Sequence, residues 1–367
     1  MKLPAVLGLI ALLSLIAVTA VAFIKDREYQ KLLRGIPIRV LVNGTRGKTT
    51  TTRLIHAGLV GAGYKAHAKS TGSESMTLDE NLNAMPLERE RGWVSIGEVV
   101  GFVEGAARKG CDAVVVECMA VRPDLQKSLA RSILKPTHVV ILNDYVDHVD
   151  AMGNTRKTTA RALLGCVTKE SQVFVGEDFS LKKQGFVVTP AAPEEDCQGF
   201  LFPAHPVCVG AAVKVLESLS VPREKALQGM RKAPPDKGLV GPFKAGNTLY
   251  HNLFAANDIH CARQLLLSLP KGIGAVYNSR ADRGYRTPAF AKLLKNLGMK
   301  QVAIMGTDKE KAYKAFENQG LSPAIVAPEE VIGHFQGLSD VALLGNIKGE
   351  GAKLIDIFLK EGSNDGN

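Results

Sequence analysis

The sequence predicts an α/β protein with a transmembrane helix at its amino end, a larger domain built on a parallel sheet, and then a smaller Rossmann-like α/β domain. Three observations carry this. The chain opens on 22 uncharged positions, Leu3 to Ile24. From Ile36 onward, short β-branched runs alternate with helix-compatible segments, the pattern of strands covered on both faces. A stretch rich in proline and glycine, "APPDKGLVGP", then breaks the alternation, which restarts beyond it. A chain of 367 residues has material for about two domains. The expected divisions are 1–24 for the anchor, 25–235 for the first domain and 236–367 for the second.

The opening segment is long enough for a helix to cross a hydrocarbon core of about 30 Å. A cleaved signal peptide is the competing reading, although its apolar region is shorter, about 7 to 15 residues. Lys25, Arg27, Lys31 and Arg34 follow the segment and only Lys2 precedes it, so the body is expected in the cytoplasm. The six cysteines show no CxxC pairing and read as reduced thiols in packed positions. The net charge of +10 is spread along the chain without interleaved aromatics. That argues against nucleic acid and is explained as well by anionic lipid or polyanionic substrates.

"IPIRVLVN" reads as the first strand, and "TTTTRLIHAGLVGAG" as a helix that stops at glycine. "DAVVVE" and "THVVILN" are further buried strands. "QVFVG" and "GFVV" are shorter ones, followed by the helices "PVCVGAAVKVLESL" and "REKALQGMRKA". Beyond the break, "NTLYHNLF", "GIGAVYNS", "QVAIMG" and "DVALLGNI" are strands, each followed by a helical stretch.

Between the first strand and its helix lies a loop in which Gly44, Gly47, Lys48 and Thr49 form GxxGKT. Glycines let backbone N–H groups approach phosphate oxygens, and the helix N-terminus adds a positive field. Lys48 can reach the β and γ phosphates, and the Thr49 hydroxyl can hold magnesium. The common loop has four residues between its glycines and this one has two. A glycine turn capped by threonines is the plain alternative; the flanking strand and helix favour nucleotide binding by residues Asn43, Gly44, Thr45, Arg46, Gly47, Lys48, Thr49 and Thr50.

The short loop "GTRGKTT" resembles the GTNGKTT of the Mur ligase superfamily, ATP-dependent enzymes that join amino acids through amide bonds. The strand "DAVVVECMAV" is similar to the one that ends in a magnesium-binding glutamate, which implies that role for Glu117. "ILNDYVDHVDAMG" resembles the N-x-x-x-D-H element, whose histidine binds a second magnesium, here His148. On chemistry alone, Asp144, Asp147, His148 and Asp150 read equally as a solvated acidic turn. "HNLFAANDIHCARQLL" resembles the D-Y-A-H-N-P element and places Asn257 and Asp258 at a strand-to-helix turn. "NSRADRGYRT" is similar to the arginine-containing loop after the next strand. It makes Arg280, Asp282 and Arg283 candidates to meet phosphate or a substrate carboxylate, with surface arginines as the alternative. The implied catalytic set is Lys48, Glu117, His148 and Arg280, and the implied metal ligands are Thr49, Glu117 and His148. His205 sits near the position where the superfamily often has an asparagine that contacts adenine. The lysine that many Mur ligases carry as a carbamate is not assigned, although Lys157 and Lys169 lie in the general region.

Arg46 stands where the superfamily usually has asparagine. With "ECMAV", "DHVDAMG", "GMRKAPPDKG", "FAANDIH" and "NSRADR" in order, the chain resembles the PgsB/CapB family of poly-γ-glutamate synthase catalytic subunits, from about residue 36 to about 350. A peptidoglycan ligase carries a uridine-nucleotide-binding domain before its phosphate loop; here about 20 residues separate the apolar segment from Gly44. The resemblance implies a P-loop Mur-ligase-like ATPase domain, ATP and Mg2+ as cofactors, and glutamate and growing poly-γ-glutamate as substrates. It also implies a single-pass protein of the cell membrane with cytoplasmic catalytic domains and integral membrane partners of the PgsC/CapC and PgsA/CapA types; self-association stays open. Two rivals are another Mur-type ligase, for instance folylpolyglutamate-like, and a membrane-anchored P-loop ATPase or kinase that performs no ligation.

Overall fold

The computed structural model describes residues 3–87, 95–256, 259–299 and 301–364. It divides into two compact units. The first comprises Met1–Thr71, Ser75–Phe200 and Ala204–Pro234, and the second Gly72–Glu74, Leu201–Pro203 and Pro235–Asn367.

Helix α1 (Leu3–Arg34) opens the first unit. Among the described residues it is the one helix long and apolar enough to cross a membrane. Its large side chains from Leu7 to Ile24 are exposed, whereas Tyr29 and Leu33, one turn apart on the same face, are buried in the core of the unit. The Tyr29 hydroxyl donates to the Ile133 carbonyl at 2.9 Å. The apolar run and the body of the protein are therefore joined by continuous helix.

The strands of this unit are β1 (Ile38–Asn43), β2 (Ala66–Ser70), β3 (Met76–Leu78), β4 (Ala84–Pro86), β5 (Ala113–Glu117), β6 (His138–Ile141), β7 (Gln172–Gly176) and β8 (Val187–Thr189). They form one sheet in the order β4-β3-β2-β5-β1-β6-β7-β8. The strands from β2 to β8 in that order run parallel, and only the edge strands β3 and β4 are antiparallel. Leu41, Val114, Val116, Val139 and Ile141 enter one core layer with α1, α3 (Glu98–Arg108) and the π-helical turn Leu129–Leu134. The alternate residues Val40, Val42, Val115 and Val140 are also fully buried and point to the opposite face, as a doubly covered sheet requires.

β2, "AHAKS", has no apolar run, yet all five of its residues are buried. Two of its polar side chains find acidic partners from the side: Lys69 pairs with Glu98 at 3.1 Å and His67 meets Glu80 at 2.5 Å. Helix α2 (Lys48–Ala62) follows β1 and packs against the helices Pro206–Ser218 and Arg223–Met230. A Cβ on Gly61 would lie 2.5 Å from the Gly229 Cα, so glycine on both helices permits their close crossing.

The second unit contains β9 (Phe243–Ala245), β10 (Thr248–Asn252), β11 (Gly274–Ser279), β12 (Gln301–Gly306), β13 (Ala324–Ile325) and β14 (Asp340–Leu344), in the order β13-β12-β11-β14-β10-β9. All pairs are parallel except β9 with β10. Separate apolar cores lie on its two faces, one around Tyr277 and Phe290 and the other around Tyr250 and Phe358.

Candidate active site

β1 ends in Asn43, whose side chain is spent on the interior. Its Nδ2 donates to Gln126 Oε1 at 2.8 Å and its Oδ1 accepts from the Gly44 amide at 2.9 Å. The chain then turns through Gly44 and Gly47, both at positive φ (126° and 81°), and enters α2 at Lys48. A Cβ on Gly47 would sit 2.7 Å from Cys208 Sγ, so the bend needs glycine for space as well as for conformation. No side chain caps α2 and its first turn holds no acidic residue. The first amides and the positive end of the helix are thus disposed for an anion.

Asn143, just past β6, holds this loop from below. Its Oδ1 accepts from the Thr45 amide (3.1 Å), the Thr45 hydroxyl (2.8 Å) and the Arg46 amide (2.9 Å), and its Nδ2 donates to the Arg46 carbonyl (3.1 Å). Asn143 is the first letter of the N-x-x-x-D-H element, so the motif marks the residue that shapes the loop as well as the histidine. Lys48 Nζ donates to the Gly44 carbonyl at 2.7 Å, folding the ammonium over the loop. Thr50 is half-buried on the first turn of α2.

Glu117 stands at the end of β5, next to β1 in the sheet, and is buried. Its carboxylate accepts from the Thr49 hydroxyl at 3.0 and 3.1 Å and from the Thr71 amide at 2.6 Å. A hydroxyl and a carboxylate meeting at the mouth of a phosphate loop are oxygen donors of the kind a hard cation takes, so the residues fit magnesium. His148 lies at the start of the short helix Val149–Met152 in left-handed conformation (φ 48°), with Nε2 3.9 Å from Asp147. Among the described residues, no group of three or more His, Cys, Asp and Glu side chains is clustered for a metal. Thr49 and Glu117 are together, and His148 sits on the acidic turn that follows β6.

The acidic turn is not simply solvated. Asp144 is fully buried, pairs with Arg156 at 2.6 Å and accepts from the Ser180 amide and hydroxyl. Asp147 pairs with Arg46 at 2.8 Å. Burial opposes ionisation of Asp147, but the Arg46 charge and hydrogen bond, with help from His148, bring its carboxyl down to about 2. Arg46, where the superfamily usually has asparagine, is thereby tied to the D-H element.

His205 caps the helix Pro206–Ser218, accepting from the Val207 amide at 3.3 Å. Cys111, Cys118, Cys166, Cys197 and Cys208 are free thiols. Burial pushes Cys118 and Cys208 up to about 11, which leaves them protonated and inert at neutral pH.

In the second unit, Arg280 follows β11 and grips Asp282 through two hydrogen bonds of 2.8 and 2.6 Å, while its Nη1 reaches Asn346 Oδ1, just past the neighbouring strand β14, at 3.2 Å. Arg283 donates to the Tyr285 hydroxyl at 3.3 Å. Gly306 and Gly345, at φ 104° and 97°, let the backbones after β12 and β14 press against Asn278 and Ser279. The Glu350 carboxylate accepts from the Gly306 amide at 2.5 Å. Asn346 and Glu350 stand outside the motifs named above. Asn257 and Asp258 lie outside the described residues.

The Mur ligase middle domain matches residues 42–168, and the poly-gamma-glutamate synthase CapB C-terminal domain matches residues 240–361. The PGA synthase CapB of Bacillus subtilis (strain 168) is 30% identical over 333 residues, covering 84% of this chain and 84% of that protein. The chain belongs to the CapB family. The capsule biosynthesis protein CapB of Bacillus anthracis is 29% identical over 403 residues, covering 96% of this chain and 84% of its own length. Among solved structures, E. coli FolC in complex with ADP superposes with a TM-score of 0.69 at 16% identity, covering 93% of each chain. The bifunctional folylpolyglutamate synthase/dihydrofolate synthase of Yersinia pestis, complexed with AMPPNP and Mn, gives 0.67 at 17% identity over 92% of each. MurF from Acinetobacter baumannii gives 0.63 at 14% identity, over 89% of this chain and 79% of that one. These likenesses establish the Mur ligase and FolC type of α/β fold, and the CapB family consists of ATP-dependent ligases of the Mur superfamily.

Proposed function

We propose that this chain is the ATP-consuming catalytic subunit of a poly-γ-glutamate synthase, held in the cell membrane by α1 with its catalytic units in the cytoplasm. The observation that carries the reading is the Thr49–Glu117 contact at the head of a glycine-bent loop, in a chain 30% identical to a PGA synthase. A carboxylate is a poor electrophile, so amide formation needs activation. Phosphoryl transfer from ATP to a γ-carboxylate gives an acyl phosphate and ADP. The amine of another glutamate then attacks the acyl carbon, phosphate leaves, and the amine proton is lost to water.

The loop amides and the first turn of α2 orient the nucleotide phosphates, and Lys48, released from the Gly44 carbonyl, neutralises charge on them. Thr49 and Glu117 are the proposed magnesium ligands, with His148 for a second ion. Magnesium supplies charge neutralisation on the phosphoryl oxygens when bound. Arg280 and Arg283, with Asp282, offer planar guanidinium groups to a carboxylate or phosphate, and Asn257 and Asp258 are proposed nucleotide contacts by resemblance. The proposed partners are integral membrane proteins of the CapC and CapA types.

Membranes containing the full chain should consume ATP when glutamate and magnesium are supplied, and should yield a polymer resistant to ordinary α-peptidases. Testing each glutamate enantiomer separately identifies the substrate. ATP turnover that requires a different acceptor would instead make it another Mur-type ligase, and turnover indifferent to amino acids would remove ligation altogether.

A further inference from the structure

The amino-terminal edge of the first sheet carries a second feature, away from the nucleotide loop. A cavity of about 540 Å³ is lined by Arg39, Arg131, Lys135, Thr168, Lys169 and Glu170. Four cations thus face one carboxylate, and among the described residues none of the four cations makes an ion pair. Arg39 is fixed in the wall: its Nε donates to the Lys135 carbonyl at 2.9 Å and its Nη1 to the Ile36 carbonyl at 2.5 Å. Arg131, Lys135 and Lys169 are exposed.

The anchor helix docks beside this cavity. Tyr29 donates to Ile133 and Gln30 to Ser132, the two residues between Arg131 and Leu134 in the π-helical turn. Tyr29 is five residues past Ile24, the end of the uncharged run, or about 7.5 Å along a helix axis. The headgroup layer beyond the hydrocarbon core is about 5 to 7.5 Å deep on each side. The docking point of α1 beside the cavity is thus at headgroup height, and Lys25, Arg27, Lys31 and Arg34 on the same helix are exposed.

We propose that this cavity binds the phosphate headgroup of an anionic glycerophospholipid, with Arg131, Lys135 and Lys169 as its cationic contacts. The proposal rests on the membrane reading of α1 given above. A lipid is favoured over the polymer because the nucleotide loop lies at the other end of β1, about 20 Å away at 3.3 Å per residue, whereas the cavity adjoins the anchor.

The test uses the full chain in nanodiscs of mixed phosphatidylglycerol and phosphatidylcholine, extracted into neutral detergent and read by native mass spectrometry for retained lipid. Phosphatidylglycerol should be retained in preference to phosphatidylcholine. The double variant R131Q/K135Q should lower that retention by about thirtyfold, the effect of two cations at a lipid surface. K169Q should lower it by a smaller factor, and K311Q, on the second unit, should leave it unchanged. Unaltered melting in neutral detergent confirms that the variants are folded. Equal retention of the two lipids, or equal loss in K311Q, would overturn the site. So would full displacement of the lipid by millimolar inorganic phosphate, which marks a free-anion site, or by poly-γ-glutamate, which marks a polymer site. Resistance of the chain to carbonate extraction is scored separately. A resistant chain with no lipid preference sinks only the headgroup site, whereas an extracted chain sinks the anchor reading as well.

Discussion

Replacing Asn143 by alanine tests whether the phosphate loop is shaped from beneath. The side chain is buried and makes four hydrogen bonds to Thr45 and Arg46. The Thr45 amide keeps a longer bond to the Asn143 carbonyl at 3.3 Å, so three bonds are lost outright. At roughly 0.5 to 1.5 kcal/mol net each, the variant should lose about 2 to 4 kcal/mol of stability. Because a misplacement of about 1 Å in a reacting geometry costs on the order of a hundredfold, kcat/KM for ATP should fall by about that factor. Asn143→Asp separates the two effects. It keeps the acceptor oxygens but loses the bond to the Arg46 carbonyl and sets a negative charge under the loop, so it should cost less stability and at least as much nucleotide affinity. Urea denaturation and glutamate-dependent phosphate release read the two quantities. An Asn143→Ala protein with an unchanged denaturation midpoint and unchanged ATP half-saturation would refute the reasoning.

Other outcomes follow from the same geometry. Lys48→Ala should abolish ATP-dependent ligation while shifting stability by less than about 0.5 kcal/mol, since a half-buried loop lysine adds little to a core; calorimetry and product assay together check this. Glu117→Gln should lower turnover by at least about a hundredfold and weaken the magnesium dependence, as for loss of charge stabilisation in other enzymes; a normal magnesium titration would remove Glu117 from the metal site. His56 is buried on α2 with Nε2 3.0 Å from the Ala66 carbonyl, and burial holds its pKa down at about 4 against a usual 6.5. A group depressed on folding stabilises fully above its unfolded pKa and loses that contribution as pH falls toward the folded one. Melting should therefore drop between pH 6.5 and 4, by up to about 3 kcal/mol, and His56→Gln should flatten that limb of the curve.

The alternation of strands and helices was legible because strands buried on both faces are written as continuous apolar runs, as in "AVVVE" and "GAVYNS". β2 was not, because its burial rests on Lys69 and His67 finding acidic partners from Glu98 and Glu80, which lie up to 29 residues further along the chain. The loop glycines and Lys48 were legible from their spacing and from the strand and helix around them. The motif makes Asn43 a candidate nucleotide contact, while its side chain faces Gln126, a contact that no local pattern announces. The hold that Asn143 has on the loop spans 98 positions of sequence and appears only when β1 and β6 lie side by side.

The unbroken helix from the apolar run into the core at Tyr29 and Leu33 has a mechanical consequence. An enzyme tethered by a floppy linker would swing freely over the bilayer and present its catalytic face in every direction. With α1 as the proposed anchor, the apolar run is a shaft keyed to the first unit, so the bearing of that unit relative to the faces of the apolar run is set by helical phase. Each residue added between Ile24 and Tyr29 turns the unit by about 100° and lifts it by about 1.5 Å. A partner seated on the apolar run would therefore meet the unit at one bearing, which makes the number of residues in that short span, more than their identity, the quantity that has to be kept.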